Sequence, residues 1–177
     1  MKGILFLVFF MASALALAHA RLKASEVIKI RSTNPGVKSG PCGGYPRVAA
    51  PAVVMPGQTL PVTWEETIYH PGRFEFYFSP AGDKNFTLLQ TVPNDQKSQP
   101  LPHQYSTTVT IPNTPCNECT LQMIQVMTEN PSNPTYYYSC ADLQVKAPVS
   151  TPTPTPTPPS PTPSPTLPPV PQDDCSL

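Results

Sequence analysis

The chain predicts an all-β fold, an antiparallel immunoglobulin-like β-sandwich followed by a disordered Pro/Thr/Ser-rich tail, and three observations carry that expectation. The first is an apolar period of two, clearest in "RFEFYF", where Phe74, Phe76 and Phe78 alternate with Arg73, Glu75 and Tyr77. Successive side chains of a strand point to opposite faces, so this pattern makes one face core and the other solvent. The second is that such segments are short, bounded by Pro, Gly or Asn, and accompanied by no helical stripe. The third is the run "APVSTPTPTPTPPSPTPSPTLPPVP", which is nearly all Pro, Thr and Ser and has nothing with which to build a core.

Taken in order, the chain opens with Lys2 and an apolar run from Ile4 to Leu17 that ends in small residues. This reads as a secretory signal peptide over 1–18, because the run is shorter than the roughly 18 to 20 apolar residues of a membrane span. Two overlapping cleavage signals follow, Ala16-Leu17-Ala18 and Ala18-His19-Ala20. One cut makes His19 the first residue of the mature protein; the other discards it.

The stretch "SEVIKIRSTNPGVKSGPCGGYP" holds one short strand and a surface loop, to judge by its Gly and Pro density. Strands are then expected in "QTLPVTWEE" through Leu60, Val62 and Trp64, in "RFEFYF", in "FTLLQTV" from Phe86, in "YSTTVTI" from Tyr105, in "CTLQMIQVM" from Cys119 and in "YYYSCADLQV" from Tyr136. The folded domain spans 19–146, and the tail 147–177 forms an extended stalk whose hydroxyls invite O-glycosylation. Asn85, in "NFT", is an N-glycosylation acceptor by pattern.

Five cysteines in an exported chain imply a disulfide framework, with Cys175 beyond the stalk as the odd one. Cys42 precedes the first clear strands and Cys140 lies in the last, so a bond between them would close a loop of nearly a hundred residues and stabilise by about 4 to 5 kcal/mol. Cys116 and Cys119 are spaced to pair across a turn before a strand. A CxxC can also be half a zinc site or a redox pair, but zinc needs two more ligands at suitable spacing and a redox pair normally opens a helix.

Acidic and basic residues number 11 each, and charged residues make up only 12% of the chain. A nucleic-acid partner and binding to an anionic membrane are both disfavoured by that balance. A neutral ligand or a metal fits better. Of the three histidines, His103 in "LPHQYS" shows no partner in the sequence and receives no role. His70 sits in the turn "ETIYHPGRF"; alone it reads as a polar turn residue before proline. Paired with an N-terminal His19 it reads differently. Such a residue offers its amine and its ring, His70 adds a third nitrogen, and three nitrogens in a T-shaped plane suit copper.

In order, "HARLKASEVIKIRSTNPGVKSGPCGG", "ETIYHPGRF", "CNECTLQMIQVMTENP" and "YYYSCADLQV" resemble the lytic polysaccharide monooxygenase-like proteins, and within them the bacterial-type polysaccharide monooxygenase-like branch. The resemblance covers nearly the whole folded domain. It implies a copper histidine brace formed by His19 through amine and ring and by His70 through its ring. It also implies an axial aromatic residue at Tyr137, a role that a one-residue change of register would hand to Tyr136 or Tyr138. Many members place a glutamine or glutamate near the copper; Gln122 and Gln125 are the candidates, and their odd spacing allows at most one to face the metal.

The resemblance further implies a secreted monomer that cleaves glycosidic bonds oxidatively in a polysaccharide (chitin, cellulose or a cell-wall glycan), with a small-molecule reductant. Two other readings stay open: an extracellular copper-binding or acquisition protein without catalysis, similar to relatives with a Ser/Thr/Pro-rich tail, and a structural cell-wall module. An "HPG" histidine and a "YYYSCAD" strand make joint sense only with His19 as residue one, which places the cut after Ala18.

Overall fold

The computed structural model describes residues 19–147. The expected signal segment, nearly all of the expected tail and Cys175 lie outside them. Nine strands make up the regular structure, and the described residues contain no α-helix: β1 (Ala20–Leu22), β2 (Lys29–Ile30), β3 (Ala52–Val54), β4 (Thr59–Glu66), β5 (Gly72–Ser79), β6 (Thr87–Asn94), β7 (His103–Thr110), β8 (Cys116–Met127) and β9 (Thr135–Val145). They form a three-stranded sheet in the order β1-β4-β7 and a second sheet in the order β2-β9-β8-β5-β6, with β3 added beside β9.

All pairings are antiparallel except β3 with β9. The six long segments of alternating sequence become β4 to β9. Strands β1 and β3 have three residues each, too few for a period of two to show in the sequence.

Strands β4 and β5 turn their apolar sets inward, whereas β6 leaves Leu88 half exposed. Leu60, Val62 and Trp64 of β4 meet Phe74, Phe76 and Phe78 of β5 and Leu121 and Met123 of β8, all essentially excluded from solvent. The Trp64 ring sits edge-on to Phe74 and Phe76, at 5.3 and 5.1 Å between centroids, and stacks on Tyr105 at 5.2 Å. Aromatic contacts of this kind, edge-on between the sheets and stacked across β4 and β7, add specificity to the area buried. The outer face of β8 and β9 is covered by the loop that follows β2. Cys42 in that loop is bonded to Cys140 of β9. Cys116 is bonded to Cys119 inside the first residues of β8, where the β8–β9 register shifts, and not across a turn before the strand.

Candidate metal centre

At one end of the sandwich the inward positions change from apolar to polar, strand by strand. On β4 the series Leu60, Val62, Trp64 continues to Glu66; on β8 Leu121 and Met123 continue to Gln125; on β9 Leu143, Ala141 and Ser139 lead to Tyr137; and β7 begins with His103 and Tyr105. All four polar ends are buried. A buried polar group is costly unless hydrogen-bonded. Here Gln125 and His103 are both bonded to Glu66, while Tyr137 packs its ring on His19.

Glu66 is the hub. Its Oε1 accepts from Asn94 Nδ2 at 2.7 Å, Gln125 Nε2 at 2.8 Å and the His70 backbone N–H at 3.2 Å. Its Oε2 lies 2.9 Å from His103 Nδ1 and 3.2 Å from the Tyr105 hydroxyl, which also donates to Asn94 Oδ1 at 2.6 Å. Asn94 Nδ2 in turn reaches the His70 carbonyl at 2.8 Å. The network thus grips the His70 backbone on both sides. Gln125 extends it toward the other histidine, because its Oε1 accepts the Ala20 N–H at 2.9 Å.

His19 stands at the start of β1, where the Ala20↔Glu66 pairing and a bond from the Thr67 N–H to the His19 carbonyl (3.4 Å) hold the strand end beside the β4–β5 turn. That turn carries His70. It is tight because Gly72 has φ +152°, and a side chain there would fall on the Val126 carbonyl oxygen. The two imidazoles lie nearly parallel, with centroids 5.4 Å apart. Tyr137, 4% exposed, stacks on His19 at 3.3 Å, and Lys38 Nζ approaches the Tyr137 ring to 5.3 Å.

His19 Nδ1 is buried and has no hydrogen-bond partner. Burial, followed by the neighbouring His70 and Lys38 charges, pulls the His19 ring from its ordinary 6.5 down to about 4, so near neutrality it presents a lone pair rather than a charge. His70 Nδ1 lies 2.5 Å from Glu129 Oε1. Among the described residues no three His, Cys, Asp or Glu side chains converge as a metal cluster. Two imidazoles are what the side chains offer. A third nitrogen requires a free amine at His19.

An orphaned buried ring nitrogen beside a second imidazole is a donor pair that suits a first-row ion such as zinc, nickel or copper. Of the residues singled out in the sequence, the fold brings His19, His70, Tyr137 and Gln125 to one place. Gln122 is not among them. It points to the outer face of β8, where its Nε2 donates to the Pro41 carbonyl at 2.6 Å, because odd spacing along a strand reverses direction. Tyr136 and Tyr138 share that outer face, Tyr136 opposite Val126 and Tyr138 opposite Ile124. Asn85 is exposed in the β5–β6 turn with φ +54°. Glu66, Asn94, His103 and Glu129 were not marked by any motif. For Glu66 the signal was present all the same: it continues the inward alternation of β4.

The family model described as "Lytic polysaccharide mono-oxygenase, cellulose-degrading" matches residues 37–143. That range includes His70, Gln125 and Tyr137 and begins after His19. Solved structures that resemble the chain include an AA10 lytic polysaccharide monooxygenase from Streptomyces lividans (22% identity, 54% of this chain and 59% of that one, TM-score 0.43). They also include the cellulose-active enzyme CelS2 in complex with copper (21%, 58% and 55%, TM-score 0.44) and a cellulose-active polysaccharide monooxygenase from M. thermophila (16%, 70% and 64%, TM-score 0.45). The chain spans less than two thirds of the length of each of these structures. Comparison with curated proteins gives no match.

Proposed function

Since the chain belongs to the lytic polysaccharide mono-oxygenase family, we propose that its mature form, beginning at His19 after removal of 1–18, is a secreted, monomeric copper enzyme that cleaves polysaccharide chains oxidatively. The supporting observation is the buried, unpartnered Nδ1 of His19 beside the His70 imidazole, 5.4 Å away between centroids. Leaving such an atom unsatisfied costs about 1 to 3 kcal/mol, which a metal bond would offset.

His19 through its amine and ring, and His70 through its ring, would hold the ion. When bound, copper supplies one-electron redox chemistry by which hydrogen peroxide or oxygen, with an external reductant, removes a hydrogen from a glycosidic carbon. The chain's own residues set the geometry. Tyr137 closes one side of His19. Gln125 holds the residue after His19 in place from within the sheet, and the Glu66 network keeps the His70 backbone from shifting. Preorganisation of this kind fixes the donors before the ion arrives. Cellulose, chitin and other cell-wall glycans are the substrate classes to test; the Pro/Thr/Ser tail over 147–177 would act as a stalk, and Asn85 as a glycan carrier.

Three measurements test this. Mass spectrometry of the secreted protein is expected to show His19 as its first residue; Arg21 in that position would remove the brace. Copper titration of that protein should show tight binding that falls by more than about a hundredfold in His70→Ala, more than removal of an outer partner costs. Incubation of the copper form with a glycan panel and a reductant should release oxidised oligosaccharides. Tight copper binding without any such product would mark a carrier instead of an enzyme.

A further inference from the structure

We propose that the depression formed by the loop between β6 and β7 is a glycan-binding site, which holds an uncharged sugar chain by the amides of Gln96 and Gln99 and the rings of Pro100 and Pro102. The choice of a glycan as occupant rests on the function proposed above; the binding itself needs no metal. The depression has a volume of about 440 Å³, opens widely to solvent and is bordered by Gln104 and the buried His103. Ligand pockets commonly measure about 300 to 1,000 Å³. Apart from His103, no ionisable side chain lines it. Both ring nitrogens of His103 are already taken, by Glu66 Oε2 and the Gln99 carbonyl.

The loop is fixed by its own bonds. The Gln99 N–H donates to the Gln96 carbonyl at 2.9 Å, Gln96 Nε2 donates to the Gln104 carbonyl at 3.2 Å, and the Gln99 carbonyl lies 3.0 Å from His103 Nε2. Pro100 and Pro102 fix their own φ, so little backbone freedom is left to lose on binding. Among the described residues, these bonds leave Gln96 Oε1 and the whole Gln99 side-chain amide without a partner, and Gln99 is exposed. An amide carries both donors and acceptors, which is what a sugar hydroxyl, itself both, requires. The flat apolar rings of proline suit the C–H face of a pyranose, whose burial is favourable. A bare exposed amide contributes nothing to the fold; facing a ligand, it does have a use.

The surroundings favour a chain over a single sugar. From Gln104 the exposed positions of β7 run on through Ser106 and Thr108, opposite Thr63 and Pro61 of β4, which are exposed as well. A polymer with one unit in the depression thus meets uncharged hydroxyls and a further proline along the sheet. Where charge borders this strip, Lys23 is bonded to Gln104 Oε1 at 3.0 Å and Arg21 to Glu65 at 2.7 Å. The depression also belongs to the same end of the sandwich as the candidate metal centre, since Glu66 faces His103 with one oxygen and accepts the His70 N–H with the other. Its role there is to anchor the glycan.

The experiment uses the secreted full chain, free of metal, and its double variant Gln96→Ala, Gln99→Ala. Each is titrated with cellohexaose, chitohexaose, cellobiose and a hexamer of galacturonic acid, and amide signals are followed by NMR. At least one of the two neutral hexasaccharides, at millimolar concentration, is expected to move the side-chain amide signals of Gln96 and Gln99 and the backbone signals of Ser106 and Thr108. Cellobiose should bind more weakly. The double variant should lose about tenfold in affinity, as expected for two hydrogen bonds, at an unchanged melting temperature. If neither neutral hexasaccharide moves these signals, if the double variant binds as the wild type does, or if the charged hexamer binds there more tightly than both neutral ones, the proposal is overturned. Oxidative cleavage of a glycan with these signals unmoved would overturn it and leave the proposed function standing. Binding at these residues without cleavage would support it and count against the enzyme.

Discussion

Glu66 and His103 are the residues on which the site end of the sandwich depends. Both are excluded from solvent, and between them and Asn94, Tyr105 and Gln125 nearly every bond is internal. The two ring nitrogens of His103 both face acceptors, Glu66 Oε2 at 2.9 Å and the Gln99 carbonyl at 3.0 Å. Removing the ring leaves one carboxylate oxygen of Glu66 short of its closest partner in a region that water does not reach. Breaking a buried pair by deleting one member typically costs about 3 to 5 kcal/mol. His103→Ala is therefore expected to lower the unfolding free energy by about 3 to 5 kcal/mol, seen as a lower denaturant midpoint at an unchanged slope; a loss under about 1 kcal/mol would show that the network relaxes without it. No role for His103 was legible in the sequence, because Glu66, its buried carboxylate partner, lies 37 residues away.

At the scale of elements, the loop between β2 and β3 has little regular structure, yet it covers the outer face of β8 and β9 and brings Lys38 to Tyr137. Its main fastening is Cys42–Cys140, which spans 98 residues. Chain entropy sets the worth of such a closure at about 4 to 5 kcal/mol. The double change Cys42→Ser, Cys140→Ser should remove roughly that amount in equilibrium unfolding, and a loss below about 1 kcal/mol would mean that packing and the Gln122–Pro41 bond hold the loop by themselves. The legibility of the fold follows the same division. Strands of eight or more residues declared themselves by alternation, as in β4 and β5, whereas β1 and β3 exist only because β4 and β9 offer edges to pair with. At the site, His19, His70 and Tyr137 were legible as motifs in sequence order. Glu129 was not, since nothing local distinguishes a carboxylate after a strand from any solvated one; only the β5–β8 register brings it to His70.

Across the whole molecule, one charge cluster binds the covering loop, the β5–β6 turn and the two long strands together. Arg31, whose side chain is 2% exposed, forms two bonds of 2.7 Å to Asp83 and reaches Asp142 at 2.7 Å. Arg47 adds a 2.9 Å contact to Asp142, and the Thr120 hydroxyl donates to Asp83 at 2.6 Å. The Arg31 guanidinium holds the Asp83 carboxyl below its ordinary 3.8, with Thr120 adding to that and partial burial opposing it. A depressed folded-state value means the native protein binds the proton less readily than the unfolded chain does. The contribution is therefore complete above the unfolded value, near pH 4, and is lost as pH falls through the folded one. Asp83→Asn keeps the shape but not the charge, and hydrogen bonds to charged groups are worth about 1.5 to 3 kcal/mol. It is expected to lower stability by about that amount at neutral pH and to flatten the decline below pH 4. Because Arg31 is buried, added salt should change this difference little. Parallel acid unfolding curves for the two proteins would show that other carboxylates, and not this cluster, set the acid limit of the fold.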